Sequence, residues 1–266
     1  MGYLAETIAA LRAQRARDAP TPSWHEDAPA DWLAWAPESF AGQRAAMMEA
    51  LRERLERLTG TLGRAAVDRA LSAMAQVERE KFICPWIEDI AYLPMPHDIG
   101  LGQTISHPEM VAVLAAAADP RGGDVLDVGT GSGYQAAVLS GMARHVTSVE
   151  ILEPHARFSG ERLRRLGFAN IDVMAGDGAA LGLFEEERFD AIVVAAGARE
   201  VPAALCSALR IGGRLVMPIG PMQGDEHLVL TERQSSREFR HSRLCPTRFV
   251  PLTGRFGRSP MECLQG

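Results

Sequence analysis

From Asp124 onward, short apolar runs alternate with helical stretches, and that alternation decides the architecture. DVLDVG, HVTSVE, IDVMAGD, FDAIVVAAG and GGRLVMPIG read as strands, with EHLVLTER as one more. GYQAAVLSGMA, Glu153–Leu166 and Val201–Leu209 read as helices between them. Strands alternating with helices of ten or so residues imply parallel pairing, and each crossover takes the right-handed path. The pattern therefore predicts an α/β fold: a doubly wound, mostly parallel sheet with helices on both faces.

The part before Asp124 reads as helical. Met47, Leu51, Leu55 and Leu58 form one stripe, predicting a helix over 43–59 that Gly60 stops. Val67, Leu71, Met74 and Val77 form a second stripe. A Pro- and Gly-rich loop is expected from Cys84 to Gly102, and Pro108 opens a very apolar helix at its first turn. Residues 1–42 stand apart as an N-terminal extension. Leu4, Ile8 and Leu11 have helical spacing. Pro20, Pro22, Pro29 and Pro37 then interleave with Trp24, Trp32 and Trp35. Proline prevents a long helix and tryptophan supplies large burial, so the segment reads as an arm packed on its own domain or on a second subunit.

Several function classes are opposed by composition. A net charge of −6 gives no electrostatic reason to expect a nucleic-acid partner. No apolar run reaches the ~18 residues of a membrane span, and the N-terminus does not read as a secretory signal. Cys84, Cys206, Cys245 and Cys263 are scattered, with no CxxC pair and no zinc spacing, so no metal and a reducing, cytoplasmic setting are expected.

The chemistry concentrates at Asp127-Val-Gly129-Thr130-Gly131-Ser132-Gly133-Tyr134, where the first strand gives way to a helix. Glycines there let the backbone turn sharply and approach a ligand. A dinucleotide site wants G-x-G-x-x-G, which would place its third glycine at 134. That position is Tyr134, and the third glycine comes one residue early, with Asp127 two residues before the first. Glu150 ends the second strand, where a carboxylate can accept both ribose hydroxyls. Asp177-Gly178 ends the third, and reads either as a turn pair or as a ligand contact. A P-loop would need Lys in the glycine loop, and a nucleophile elbow would need glycines where Thr130 and Tyr134 stand.

The acid-preceded G-x-G-x-G loop resembles motif I of S-adenosylmethionine-dependent methyltransferases. Five ordered pieces narrow the resemblance: Ile99–Ser106 (IGLGQTIS), Asp127–Leu139 (DVGTGSGYQAAVL), Phe189–Pro202 (FDAIVVAAGAREVP), GGRLVMPIG at 212–220 and RFVPLTG at 248–254. Together they are similar to the protein-L-isoaspartate (D-aspartate) O-methyltransferase family, from about Ala65 to Gly254. The resemblance implies a Rossmann-like domain over 108–266 and a helical region with the substrate loop over 43–107. It implies S-adenosyl-L-methionine as cofactor, with S-adenosyl-L-homocysteine as product. Asp127, Gly129, Thr130, Gly131, Ser132, Gly133, Glu150, Asp177 and Gly178 would bind it, Asp177 through the adenine amino group. Ser106 takes the active-site serine position, and Thr104 is the next contact. The partner implied is a peptide or protein bearing a carboxylate; the sequence does not give the oligomeric state. In the family, the isoaspartyl methyl ester collapses to a succinimide that hydrolyses partly to normal aspartate.

A carboxylate is already ionised at neutral pH, so the enzyme's work is positioning and partial desolvation. Ser106 would orient the carboxylate by hydrogen bonds and need not act as a nucleophile. The departures from the family pattern cluster on the substrate side. His97-Asp98 precedes Ile99, His107 follows Ser106, and Arg199 replaces a proline; the bland reading of each is a solvated surface residue. A paralogue acting on a carboxylate of another peptide or natural product is therefore the alternative. A nicotinamide-dependent oxidoreductase is opposed by Tyr134, and a binding module without catalysis by the intact Ser106 loop.

Overall fold

The structure is a computed structural model that describes residues 39–180, 184–221 and 226–254. The expectations for residues 1–38, and for Cys263, lie outside the described residues.

The chain opens on helix α1 (Phe40–Glu56), then a single turn α2 (Thr59–Leu62) and α3 (Arg64–Ala75). Ser39 caps α1 by accepting from the Gly42 N–H at 3.1 Å, so the helix begins three residues before the apolar stripe suggests. Two short 3-10 segments, Arg79–Phe82 and Pro85–Ile90, lead into a small hairpin of β1 (His97–Gly100) and β2 (Gln103–Ile105). The sequence reading expects a loop over most of this stretch. These strands are too short to show alternation, and the tight turn rests on Gly100 (φ 92°) and Gly102 (φ 71°). Helix α4 (Pro108–Ala118) follows, as expected from Pro108.

The main sheet has seven strands: β3 (Asp124–Val128), β4 (His145–Glu150), β5 (Ile171–Ala175), β6 (Phe189–Val194), β7 (Leu209–Ile219), β8 (His227–Arg233) and β9 (Phe239–Pro246). Helices α5 (Tyr134–Ser140), α6 (Glu153–Arg165) and α7 (Ala203–Ala208) connect them. The order is β5-β4-β3-β6-β7-β8-β9. Strands β3 to β7 pair in parallel, and β7–β8 and β8–β9 pair antiparallel. The connections into β8 and β9 are too short for a crossover, so those strands must reverse. Sequence reading misses β9, because Arg240, Arg243 and the half-exposed residues around them hide its alternation.

Alternate residues of the central strands serve two cores. Val125, Ala191, Val193 and Val216 face the cluster built with α1, α3, α4 and α5. Leu126, Val128, Ile192, Val194 and Met217 face the opposite cluster, with Leu205 and Ala208 of α7. Helix α4 is buried on nearly every side, as its uniform apolarity requires. Ion pairs tie its two ends to the outer helices: Arg54 and Arg57 to Glu109, and the fork of Arg69 to Asp119 at 2.9 Å on both arms. The site thus has a rigid floor, with the carboxyl ends of β3, β4 and β5 on one side and the β1–β2 hairpin on the other.

Candidate active site

A cavity of about 730 Å³ lies at those carboxyl ends. Its wall carries Thr104 and Ser106 of the hairpin side, Gly129 to Ser132, Glu150, and Asp177-Gly178. Nine of the eleven residues singled out from the sequence therefore meet in one hollow. The other two, Asp127 and Gly133, stand behind the wall.

The glycine loop adopts the conformation its composition allows. Gly129, Gly131 and Gly133 have φ of 94°, 50° and 89°, where side chains are strained. A Cβ at Gly133 would stand 3.2 Å from Leu163 of α6, so this glycine serves close packing rather than the cavity. Arg162, also on α6, donates to the Ser132 carbonyl at 2.9 Å and fixes the loop from behind.

Glu150 braces the loop from the front. Its Oε2 accepts the Gly131 N–H at 2.8 Å, and its Oε1 accepts the Leu152 N–H at 2.9 Å. Each oxygen keeps capacity for another donor, which suits a pair of hydroxyls. Asp177 combines both readings open from the sequence. Its Oδ1 accepts the Ala179 N–H at 3.0 Å, as a turn aspartate does, and the residue also lines the cavity. Gly254 backs directly onto its carboxylate, leaving no room there for a Cβ. Gly178 is equally constrained, since a Cβ would lie 2.9 Å from a Val128 methyl.

Asp127 is fully buried and does not reach the cavity wall. Ser148 Oγ donates to its Oδ2 at 2.7 Å, and Thr130 Oγ1 lies 2.6 Å from Ser148 Oγ. Oδ1 has no hydrogen-bond partner. Burial pushes the carboxyl up to about 7, with the Ser148 bond opposing and Glu150 adding to the rise. The sign of the pH effect follows. The folded state holds this proton beyond the ordinary aspartate range near 4, so stability is full below that range and falls as pH rises towards 7. Asp127→Asn keeps an acceptor for Ser148 and removes the ionisation. It is expected to narrow the Tm difference between pH 5 and pH 8 by about 5 °C, read by thermal melts at both pH values.

Ser106 is half-buried, and Thr104 is exposed at the hairpin. The Ser106 carbonyl is held by Arg79 Nη2 at 2.7 Å. Of the four departures, Asp98 and Arg199 are exposed, as the bland reading expects. His97 and His107 are not surface residues: both are buried. His107 caps α4, its Nδ1 accepting the Glu109 N–H at 3.0 Å, which explains a histidine just before Pro108.

Sequence reasoning does not single out Gln135 or the segment Val250–Gly254 as site residues, yet both line the cavity. The segment is anchored by Gly197 N–H to the Val250 carbonyl at 2.8 Å and Leu252 N–H to the Gly197 carbonyl at 2.7 Å. RFVPLTG among the five matching pieces is the signal that points to it. Gln135 gives a different signal, visible only in three dimensions: it is buried, and neither amide atom has a hydrogen-bond partner.

Comparison with known proteins agrees with this geometry. The family model for protein-L-isoaspartate(D-aspartate) O-methyltransferase matches residues 49–257. Protein-L-isoaspartate O-methyltransferase 2 of Pelobacter propionicus is 46% identical over 198 residues, covering 74% of this chain and 88% of that protein. Protein-L-isoaspartate O-methyltransferase 1 of Cupriavidus necator is 40% identical over 222 residues, covering 83% and 85%. Among solved structures, a candidate protein-L-isoaspartate O-methyltransferase of Plasmodium falciparum in complex with S-adenosyl-L-homocysteine is similar at a TM-score of 0.61 and 28% identity, over 77% of this chain and 97% of that one.

Proposed function

The chain belongs to the protein-L-isoaspartate(D-aspartate) O-methyltransferase family, and from its site we propose that it methylates the free α-carboxylate of L-isoaspartyl residues in peptides and proteins. The observation that carries this reading is the meeting of the Ser106 loop, the glycine loop and Glu150 around one cavity.

The residues fit S-adenosylmethionine. Glu150 offers a carboxylate with acceptor capacity left on both oxygens, and Gly129 and Gly131 leave the loop surface without side chains. Asp177 and Gly178 stand at the end of β5, where an adenine would lie beside the ribose on β4. When bound, the cofactor supplies an electrophilic methyl group on a sulfonium. The protein's part is to bring an ionised carboxylate into line, and that needs no general base. Ser106 orients the carboxylate by donating a hydrogen bond to one oxygen, which leaves the other free to attack. Thr104, on β2 just before Ser106, supports the peptide on the exposed side. Arg79, by holding the Ser106 carbonyl, fixes where that hydroxyl sits. The segment Val250–Gly254 forms part of the cavity wall.

We place the work in the cytoplasm, with a peptide or protein as substrate and neither nucleic acid nor membrane as partner. Among the described residues, no helix is long and apolar enough to cross a membrane. We divide the chain into residues 1–42 as an extension, 43–107 as the helical region with the substrate loop and 108–266 as the cofactor domain.

The chemistry has its own signature. A methyl ester on the isoaspartyl α-carboxyl loses methanol when the following backbone nitrogen attacks it and closes the succinimide. Label supplied on the cofactor methyl should therefore pass through the peptide and be recovered as volatile methanol. Label that stays base-stable on the peptide would mean that the acceptor is not a carboxylate.

A further inference from the structure

Arg79 is a wholly buried cation beneath the substrate side of the cavity. Its Nε donates to the Ala91 carbonyl and its Nη2 to the Ser106 carbonyl, each at 2.7 Å. Its guanidinium carbon lies 4.8 Å from the centroid of the Tyr134 ring. These contacts hold the group, but none neutralises it. Among the described residues, Arg79 takes part in no ion pair. The neighbouring Glu80 carboxylate is engaged by the Tyr92 hydroxyl at 2.5 Å. His97 is held neutral, down to about 3, by its burial and by Arg79 itself. Burial lowers the guanidinium to about 10, which leaves it charged at neutral pH.

A buried charge without a counter-ion is costly, and a structure that keeps one has a use for the potential it creates. The Tyr134 hydroxyl is enclosed on the same side and interacts with the guanidinium. Both residues that Arg79 holds from behind, Ser106 and Tyr134, line the cavity. The positive potential is therefore delivered to the wall where the substrate carboxylate is placed.

We propose that Arg79 is a positioning and specificity-determining residue: its uncompensated charge, transmitted through Ser106 and Tyr134, makes the site select an ionised carboxylate over a neutral amide. This rests on the reading of the Ser106 side as the substrate side. Such a charge would favour an isoaspartyl group over the isosteric isoasparaginyl one, a choice that a serine hydroxyl alone cannot make, since it can bond either group. Electrostatic discrimination of this kind is strong only where water is excluded, as it is around Arg79.

The test compares an isoaspartyl peptide with its carboxamide twin, by calorimetric titration onto the protein saturated with S-adenosylhomocysteine. Wild type is expected to prefer the carboxylate at least roughly tenfold, and Arg79→Gln to bring the two within about threefold, with adenosylhomocysteine affinity unchanged. Arg79→Lys retains the charge and is expected to retain the preference. An Arg79→Gln protein that only melts earlier, with the preference intact, would reduce Arg79 to a brace and overturn the proposal. If Arg79→Gln does not fold, Arg79→Lys decides: a folded Lys variant that binds adenosylhomocysteine yet has lost the preference contradicts the electrostatic account. The underlying reading fails separately, in wild type, if neither twin is preferred.

Discussion

Ser106→Ala is expected to slow methyl transfer to an isoaspartyl peptide at least roughly tenfold, about 1.4 kcal/mol in the barrier, while leaving cofactor affinity nearly intact. Ser106 follows β2, whereas Glu150 ends β4 and Asp177 follows β5, so loss of the serine hydroxyl leaves the strands proposed to hold the cofactor unaltered. What it removes is the donor that turns one carboxylate oxygen and leaves the other to attack. The loop itself should survive, because Arg79 holds it through the Ser106 carbonyl and not through the side chain. A serine that only braced the turn would behave oppositely: its loss would lower Tm while activity per folded molecule stayed the same. Measuring Tm, adenosylhomocysteine Kd and initial rate on one preparation separates these outcomes.

Glu150→Ala is expected to weaken adenosylhomocysteine binding by ~1–3 kcal/mol, or roughly 5- to 150-fold in Kd. Two losses combine. The ribose hydroxyls lose a charged acceptor, and the N–H groups of Gly131 and Leu152 lose the carboxylate that now satisfies them. The second loss loosens the glycine loop, so Tm should fall as well. Glu150→Gln keeps one acceptor oxygen and should lie between wild type and Ala. Calorimetric titration of the three proteins checks the order, and an unchanged Kd in Glu150→Ala would remove Glu150 from the site.

What could be read from the sequence follows from which physical signals are local. The parallel strands β3 to β6 are short runs separated by helices or glycine-containing turns, and the crossover rule leaves them little freedom. Pro108 and Gly133 mark helix starts through backbone chemistry alone. The β1–β2 hairpin and β9 escape because strands of three or four residues, or strands half exposed on both faces, carry no period. At the site, glycines and acids at strand ends announce themselves. Arg79 and Gln135 do not. Arg79 stands in a charged run, Glu78-Arg79-Glu80-Lys81, and only packing shows that it is wholly buried. His97 and His107 fail as surface residues for the same reason: burial is a property of the neighbours, and theirs come from distant segments. Asp127 is legible as an important acid, but its place behind the loop depends on Ser148 across the β3–β4 pair.

The most direct test of the central claim, that this site joins S-adenosylmethionine to an isoaspartyl carboxylate, is a paired assay. The protein is incubated with methyl-labelled cofactor and either an isoaspartyl peptide or its aspartyl twin of the same sequence. The expected result is base-labile label on the isoaspartyl peptide alone, with adenosylhomocysteine formed in equal amount. A protein that binds adenosylhomocysteine and methylates neither peptide would contradict the claim, and would point instead to a carboxylate on another molecule as the true acceptor.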